Sequence, residues 1–174
     1  MLRSLIVGAL LSGALFGSVG CNSGGGCKDG GRCECSGGDQ CYLDCNGDNC
    51  NLACFSMHRC GTVCGNGCTS DCHDVGDVCS ESCGDNCLLS CENAPTCGVI
   101  CGQNCQWDCS NTPECAARVG AGSRITCSSV SSCDIECTGS CAVSCESVSN
   151  CHVTCADGSS AQTCPSGLHQ CGGC

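Results

Sequence analysis

Large apolar side chains are scarce in this sequence. From residue 21 to residue 174 there are 21 residues of the set Val, Ile, Leu, Met, Phe, Trp and Tyr. That is too few to fill an ordinary hydrophobic core. The shortage excludes a dinucleotide-binding α/β domain, an α/β barrel, a helical bundle and a multi-span membrane protein. It also argues against an enzyme with a dry, shaped pocket. Basic residues are few as well. Lys28, Arg32, Arg59, Arg118 and Arg124 do not cluster, and the sixth, Arg3, lies at the start of the chain. The formal charge is −11. Nucleic-acid binding needs a basic face, so it is set aside. The acidic excess favours solubility. Catalytic motifs are missing too: there is no triad, no paired-carboxylate site and no nucleotide loop. His58, His73, His152 and His169 share no motif.

What is abundant is cysteine, 31 residues, and glycine, 26. At this density cysteine must supply the cohesion, as disulfides or as metal–thiolate bonds.

The chain opens with Met1-Leu2-Arg3 and an uncharged apolar stretch from Ser4 to Gly20. A basic start, a short apolar run and a small-residue end form a secretory signal, predicted over residues 1–20. Gly17-Ser18-Val19-Gly20-Cys21 follows the pattern of a small residue before a cysteine. It resembles a bacterial lipobox, with Ser18 where that family usually has Leu. The resemblance covers the first 21 residues and implies that Cys21 is lipidated, becomes the new N-terminus and anchors the chain in a membrane. In that family, the lack of Asp at position 22 implies the outer membrane. Parity agrees: without Cys21, 30 cysteines remain, an even number. Residues 21–26 then read as the lipidated cysteine and a flexible tether.

The remaining cysteines are periodic. Cys60, Cys64, Cys68 and Cys72 stand four apart, and so do the sets beginning at Cys79, Cys97 and Cys133. First positions fall at 41, 60, 79, 97, 115, 133 and 151, a period of 18 or 19 residues. Such a period signals a solenoid. Each unit holds two copies of Cys-x-φ-x-Cys, where φ is an apolar position. In a strand, both cysteines and the middle residue face one side. The middle residues from 41 to 155 are Leu43, Leu52, Thr62, Ser70, Glu81, Leu89, Val99, Trp107, Ala117, Ile125, Ile135, Val143 and Val153. Most are apolar and suit a thin core. A helix would smear this spacing, and Gly and Asn occupy the gaps. Short connections such as Gly84-Asp85-Asn86 suit tight turns with positive φ. Longer ones carry Met57, Ala94, Thr112, Val130 or Val148 at their centres, which suggests a third, narrow side.

The predicted fold is all-β: a small, disulfide-stapled β-solenoid with about 18 residues and two short strands per coil. At about 4.8 Å per strand, roughly eight coils make a rod of about 38 Å. Its span is 41–155, between an N-terminal cap at 27–40 and a C-terminal cap at 156–174.

One coil indicates the pairing. Between Cys115 and Cys127, the second and third cysteine positions are Val119 and Ser123. Two cysteines lost together point to partners. The expected pairs are therefore Cys45–Cys50, Cys64–Cys68, Cys83–Cys87, Cys101–Cys105 and Cys137–Cys141. First and fourth positions allow two schemes. They close within a coil, as Cys97–Cys109, or each fourth bonds the next first, as Cys109–Cys115 and Cys127–Cys133. The second scheme pairs each of the 30 cysteines with its sequence neighbour, from Cys27–Cys33 to Cys171–Cys174.

Disulfides inside a narrow β-helix resemble the architecture of beetle antifreeze proteins. The likeness lies in the coil, not in its sequence. The outward pairs here are mixed, as Tyr42/Asp44, Gln106/Asp108 and Asp134/Glu136, with no flat threonine array. Ice binding is therefore not implied. The period is also similar to that of calcium β-rolls, whose Gly-rich Asp turn is absent; only some turns carry Asp, such as Asp48 and Asp85.

The sequence supports two main functional readings, with a calcium-dependent adhesive module as a third. One is a non-enzymatic, lipid-anchored envelope rod without cofactor or metal, serving structure or surface interaction. The other is a thiol-rich metal-binding protein like metallothioneins. Metallothionein-like spacing occurs only at Cys33-Glu34-Cys35 and Cys171-Gly172-Gly173-Cys174. The second of these could also be a redox pair. Asp71, Asp74 and Asp77 near His73 could make a shallow cation site. Glu81 is the odd inward residue, marking a local break in the coil or a ligand.

Overall fold

The computed structural model of the chain describes residues 26–27 and 30–174. The signal segment, Cys21 and most of the tether lie outside the described residues. The fold is a β-solenoid of about seven turns with a spacing of about 18 residues. That is one turn fewer than expected, and no helix is present among the described residues.

Each coil places one strand on each of two parallel sheets. On the first sheet lie the second half of β2 (Arg32–Cys45), the second half of β3 (Asn51–Cys64), β5 (Val78–Cys83), β7 (Thr96–Cys101), β9 (Glu114–Val119), β11 (Ser132–Cys137) and β13 (Asn150–Thr154). On the second lie the first halves of β2 and β3, then β4 (Thr69–His73), β6 (Leu88–Glu92), β8 (Gln106–Ser110), β10 (Ser123–Ser128) and β12 (Cys141–Glu146). The long strands β2 and β3 turn the corner between the sheets without a break, pairing in register from Arg32↔Asn51 to Cys45↔Cys64. Coiling thus begins at Arg32, inside the segment expected to be a cap.

Register follows the cysteines. Cys79 pairs Cys97, which pairs Cys115, which pairs Cys133, which pairs Cys151. A one-residue slip would turn every cysteine outward, so the alternation locks the stack. Strand β5 shows this alternation plainly: Cys79, Glu81 and Cys83 are buried, while Ser80 and Ser82 are exposed.

The core is one layer of side chains thick. Leu43, Leu52, Ile125, Ile135 and Val143 are fully buried in it. Trp107 is the largest of the fully buried side chains, in register with Leu89 and Ile125 on the neighbouring strands.

Two kinds of corner join the sheets. Short corners carry Asn49, Gly67, Asn86, Asn104 and Gly122 at positive φ. Asn adopts this left-handed conformation at lower cost than most residues, because its side chain bonds locally. Successive short corners pack backbone on backbone. An added Cβ at Gly120 would stand 2.6 Å from the Gly102 carbonyl oxygen, so glycine is required there. Long corners carry a second positive-φ column, Gly37, Ser56, Asp74, Asn93, Asn111, Ser129 and Ser147. Each of the last six is followed by an inward residue: Met57, Val75, Ala94, Thr112, Val130 or Val148. These form the narrow third side.

Both ends are partly capped. The short strand β1 (Gly26–Cys27) pairs only with Asp44–Cys45 at the first coil. At the other end, β15 (His169–Cys171) turns back antiparallel on β12, and β14 (Gln162–Thr163) pairs with it. Over β13, the Ala161 amide donates to the Val153 carbonyl at 2.9 Å.

Candidate functional site

Disulfides dominate the chemistry of the molecule. All thirty cysteines from Cys27 to Cys174 form fifteen disulfides. Such a set belongs to an oxidising, extracytoplasmic setting. Across the short corners run Cys45–Cys50, Cys64–Cys68, Cys83–Cys87, Cys101–Cys105 and Cys137–Cys141. Across the long corners run Cys35–Cys41, Cys54–Cys60, Cys72–Cys79, Cys91–Cys97, Cys109–Cys115, Cys127–Cys133 and Cys145–Cys151. Every disulfide within the coils therefore ties one sheet to the other at a corner. Of the two schemes left open above, the bonds follow the one in which each fourth cysteine joins the next first.

The C-terminus departs from that scheme. Cys171–Cys174 does not form; the bonds are Cys155–Cys171 and Cys164–Cys174. The reason is the antiparallel return of β15, which sets Cys171 opposite Cys141 and carries it back to the last coil. The spacing of Cys171 and Cys174 suggested a terminal staple or redox pair, and the folded-back strand overrides it.

The missing staple is filled by packing. Val119 is fully buried where its register neighbours are Cys101 and Cys137. Ser123 is buried beside Cys141, and its hydroxyl accepts the Cys105 amide hydrogen at 3.2 Å.

Carboxylates singled out from the sequence serve the stacking of coils. Asp48 accepts the Asn66 amide at 2.6 Å, Asn66 the Asp85 amide at 2.8 Å, and Asp85 the Gln103 amide at 2.7 Å. Asp48 and Asp85 thus splint short corners. The suggested cation site at Asp71, Asp74 and Asp77 is dispersed, each carboxylate having its own partners. Asp71 accepts from the Ser90 hydroxyl at 2.8 Å, and Asp77 pairs with Arg59 at 2.6 Å. Asp74 lies 3.2 Å from the His73 ring nitrogen and accepts from Asn93 at 3.1 Å. These bonds hold the Asp74 carboxyl below the ordinary carboxylate range, His73 contributing most. His73 itself stacks on Phe55 of the preceding coil, with centroids 5.3 Å apart.

Glu81 marks no break, since β5 stays in register with β3 and β7. Its side chain is 2% exposed, and neither carboxyl oxygen has a well-formed hydrogen bond. Burial pushes its pKa up to about 8; the Ser70 hydroxyl pulls the other way, and Asp71 adds to the rise. Thr62 and Ser70, whose hydroxyls lie 3.0 Å apart, occupy the core one coil before it. The three residues form a polar plug in the core.

One titratable group beside a disulfide escaped the sequence reading. The sulfurs of Cys145 and Cys151 and a ring nitrogen of His169 lie within 4.8 Å of one another. No local motif announces this, because β15 is carried there by the terminal return. Triplets of cysteine sulfurs also lie within that distance, such as Cys60, Cys72 and Cys79, where successive staples stack.

No protein-family model, no curated protein and no solved structure matches this chain.

Proposed function

We propose that the protein is a non-enzymatic, exported structural element of a cell envelope, held to the membrane by a lipid on Cys21. The observation that carries this reading is the double column of disulfides along a solenoid. It stiffens the coil by bonds instead of a core, and leaves mixed outward faces. The exposed large apolar residues among those described, Tyr42, Leu88 and Ile100, lie singly on three different strands. The lipobox-like Gly17-Ser18-Val19-Gly20-Cys21 supports the anchor, and the family habit at position 22 supports the outer membrane. Standing off that membrane, the rod would serve as a spacer or surface-interaction module. The metal-binding alternative needs free thiolates, whereas the thirty cysteines are paired.

The test is the intact mass of protein purified from its native envelope without reductant, with a thiol count. Expected are acyl groups on Cys21, no titratable thiol, no metal, and a mass about 30 Da below the reduced form from two hydrogens per disulfide. An unmodified Cys21 would overturn the anchor. A full thiol titre with bound zinc or copper would overturn the rod and favour metal binding.

A further inference from the structure

We propose that Cys145–Cys151 is a redox-reactive disulfide that exchanges with external dithiols, assisted by the His169 imidazole. Access narrows the choice first; Cys174 is exposed, but its partner Cys164 is buried. Most staples have at least one fully buried cysteine. Only Cys27–Cys33 and Cys145–Cys151 are built from two partly exposed residues among those described. Chemistry separates these two. Cys145–Cys151 has the imidazole within 4.8 Å of both sulfurs, and His169 is itself partly exposed. The ring is oriented by Thr163, whose hydroxyl lies 3.3 Å from Nδ1. Strand pairing of His169 with Val143 holds it against the last coil.

Disulfide exchange is limited by attack of a thiolate and by departure of another. A nearby cationic imidazole favours the departing thiolate. Here a thiolate of the dithiol attacks Sγ of Cys151 and forms a mixed disulfide. The Cys145–Cys151 bond breaks, and its electron pair leaves on Sγ of Cys145, which is protonated through the His169 ring; the ring recovers that proton from solvent. The second thiol of the reductant then displaces Cys151, whose sulfur takes up a proton. The dithiol ends as a disulfide, and the protein gains two electrons and two protons. The substrate class is a dithiol, small or carried by a protein reductant. The long-corner staples next in line, Cys127–Cys133 and Cys109–Cys115, are fully buried and stay oxidised.

The oxidised full chain is treated with limiting dithiothreitol, quenched with an alkylating agent and mapped by peptide mass spectrometry. Alkylation at Cys145 and Cys151 is expected to lead that at Cys27 and Cys33 by at least about tenfold. His169→Gln is expected to remove that lead and leave the Cys27–Cys33 rate unchanged. Equal rates for the two disulfides in the unaltered chain overturn the proposal, and so does an undiminished lead in His169→Gln. The first comparison needs no variant and stands even if His169→Gln fails to fold.

Discussion

Glu81 shows how a single residue departs from the pattern around it. Its neighbours in the sheet are Thr62 and Val99, and the site supplies neither a countercharge nor a good hydrogen bond. The folded state therefore favours the protonated acid. With a folded pKa of about 8 against 4.5 for the ordinary group, the native chain holds more protons than the unfolded chain between those values. The Glu81 contribution to stability should then be full below about pH 4.5, fall as pH rises toward about 8, and level off above it. Denaturant midpoints measured across that range, with disulfides intact, should show the fall. Glu81→Gln should flatten it, and Glu81→Leu should raise the unfolding free energy at pH 8 by about 1–3 kcal/mol. Corner residues act through the backbone instead. Gly120→Ala should cost about 1–3 kcal/mol, because the added methyl meets the Gly102 carbonyl. Asn104→Ala, at φ 55°, should cost about 1 kcal/mol, whereas Asn104→Gly should be nearly neutral. Thermal unfolding of the oxidised proteins checks both.

At the scale of the element, the unit is one coil: two strands, two corners and two staples. Each staple closes a loop of only a few residues, so each restricts the unfolded chain modestly, and their number supplies the effect. The coil containing Val119 and Ser123 tests this arithmetic. Its short corner keeps the register of its neighbours without a disulfide. The double substitution Val119→Cys with Ser123→Cys should form a sixteenth bond, read as a further loss of two hydrogens. It should stabilise the chain by up to about 2 kcal/mol, less whatever the lost Ser123 hydrogen bond to Cys105 contributes. Ser123→Cys alone should leave one titratable thiol and gain nothing in a denaturant titration.

The whole molecule is quasi-one-dimensional: each coil touches only the next, and stability is shared between neighbours. Ion pairs between successive coils, such as Arg59–Asp77 and Arg118–Glu136, are exposed and contribute little. Cohesion therefore rests on the staples and the thin core. Full reduction should abolish the β-sheet circular-dichroism signal and make the chain protease-sensitive, whereas the oxidised rod should resist digestion. Scattering in solution should return an elongated particle, with seven coils spanning about 34 Å. A globular profile, or β-structure that survives complete reduction, would contradict this account.

Much of the fold was legible in the sequence because a strand repeats every two residues and a coil repeats its strands. Cys133-Asp134-Ile135-Glu136-Cys137 announces its inward face by itself, and the joint loss at Val119 and Ser123 exposes the short-corner partners. Local spacing also made neighbour pairing geometrically available along the coils. Three matters depended on the folded chain. Val75 lies in a corner lengthened by one residue, and only the shared positive-φ column at Asp74 shows that it points inward. The alternation already turns Glu81 inward, but only the folded chain shows that its flanking cysteines hold the strand in register, with no break in the coil. Cys155–Cys171, Cys164–Cys174 and the meeting of His169 with Cys145–Cys151 depend on an antiparallel return. A repeat determines what lies one period away; the place where the chain stops repeating and turns back is decided by the end of the stack, which must cover its last open edge.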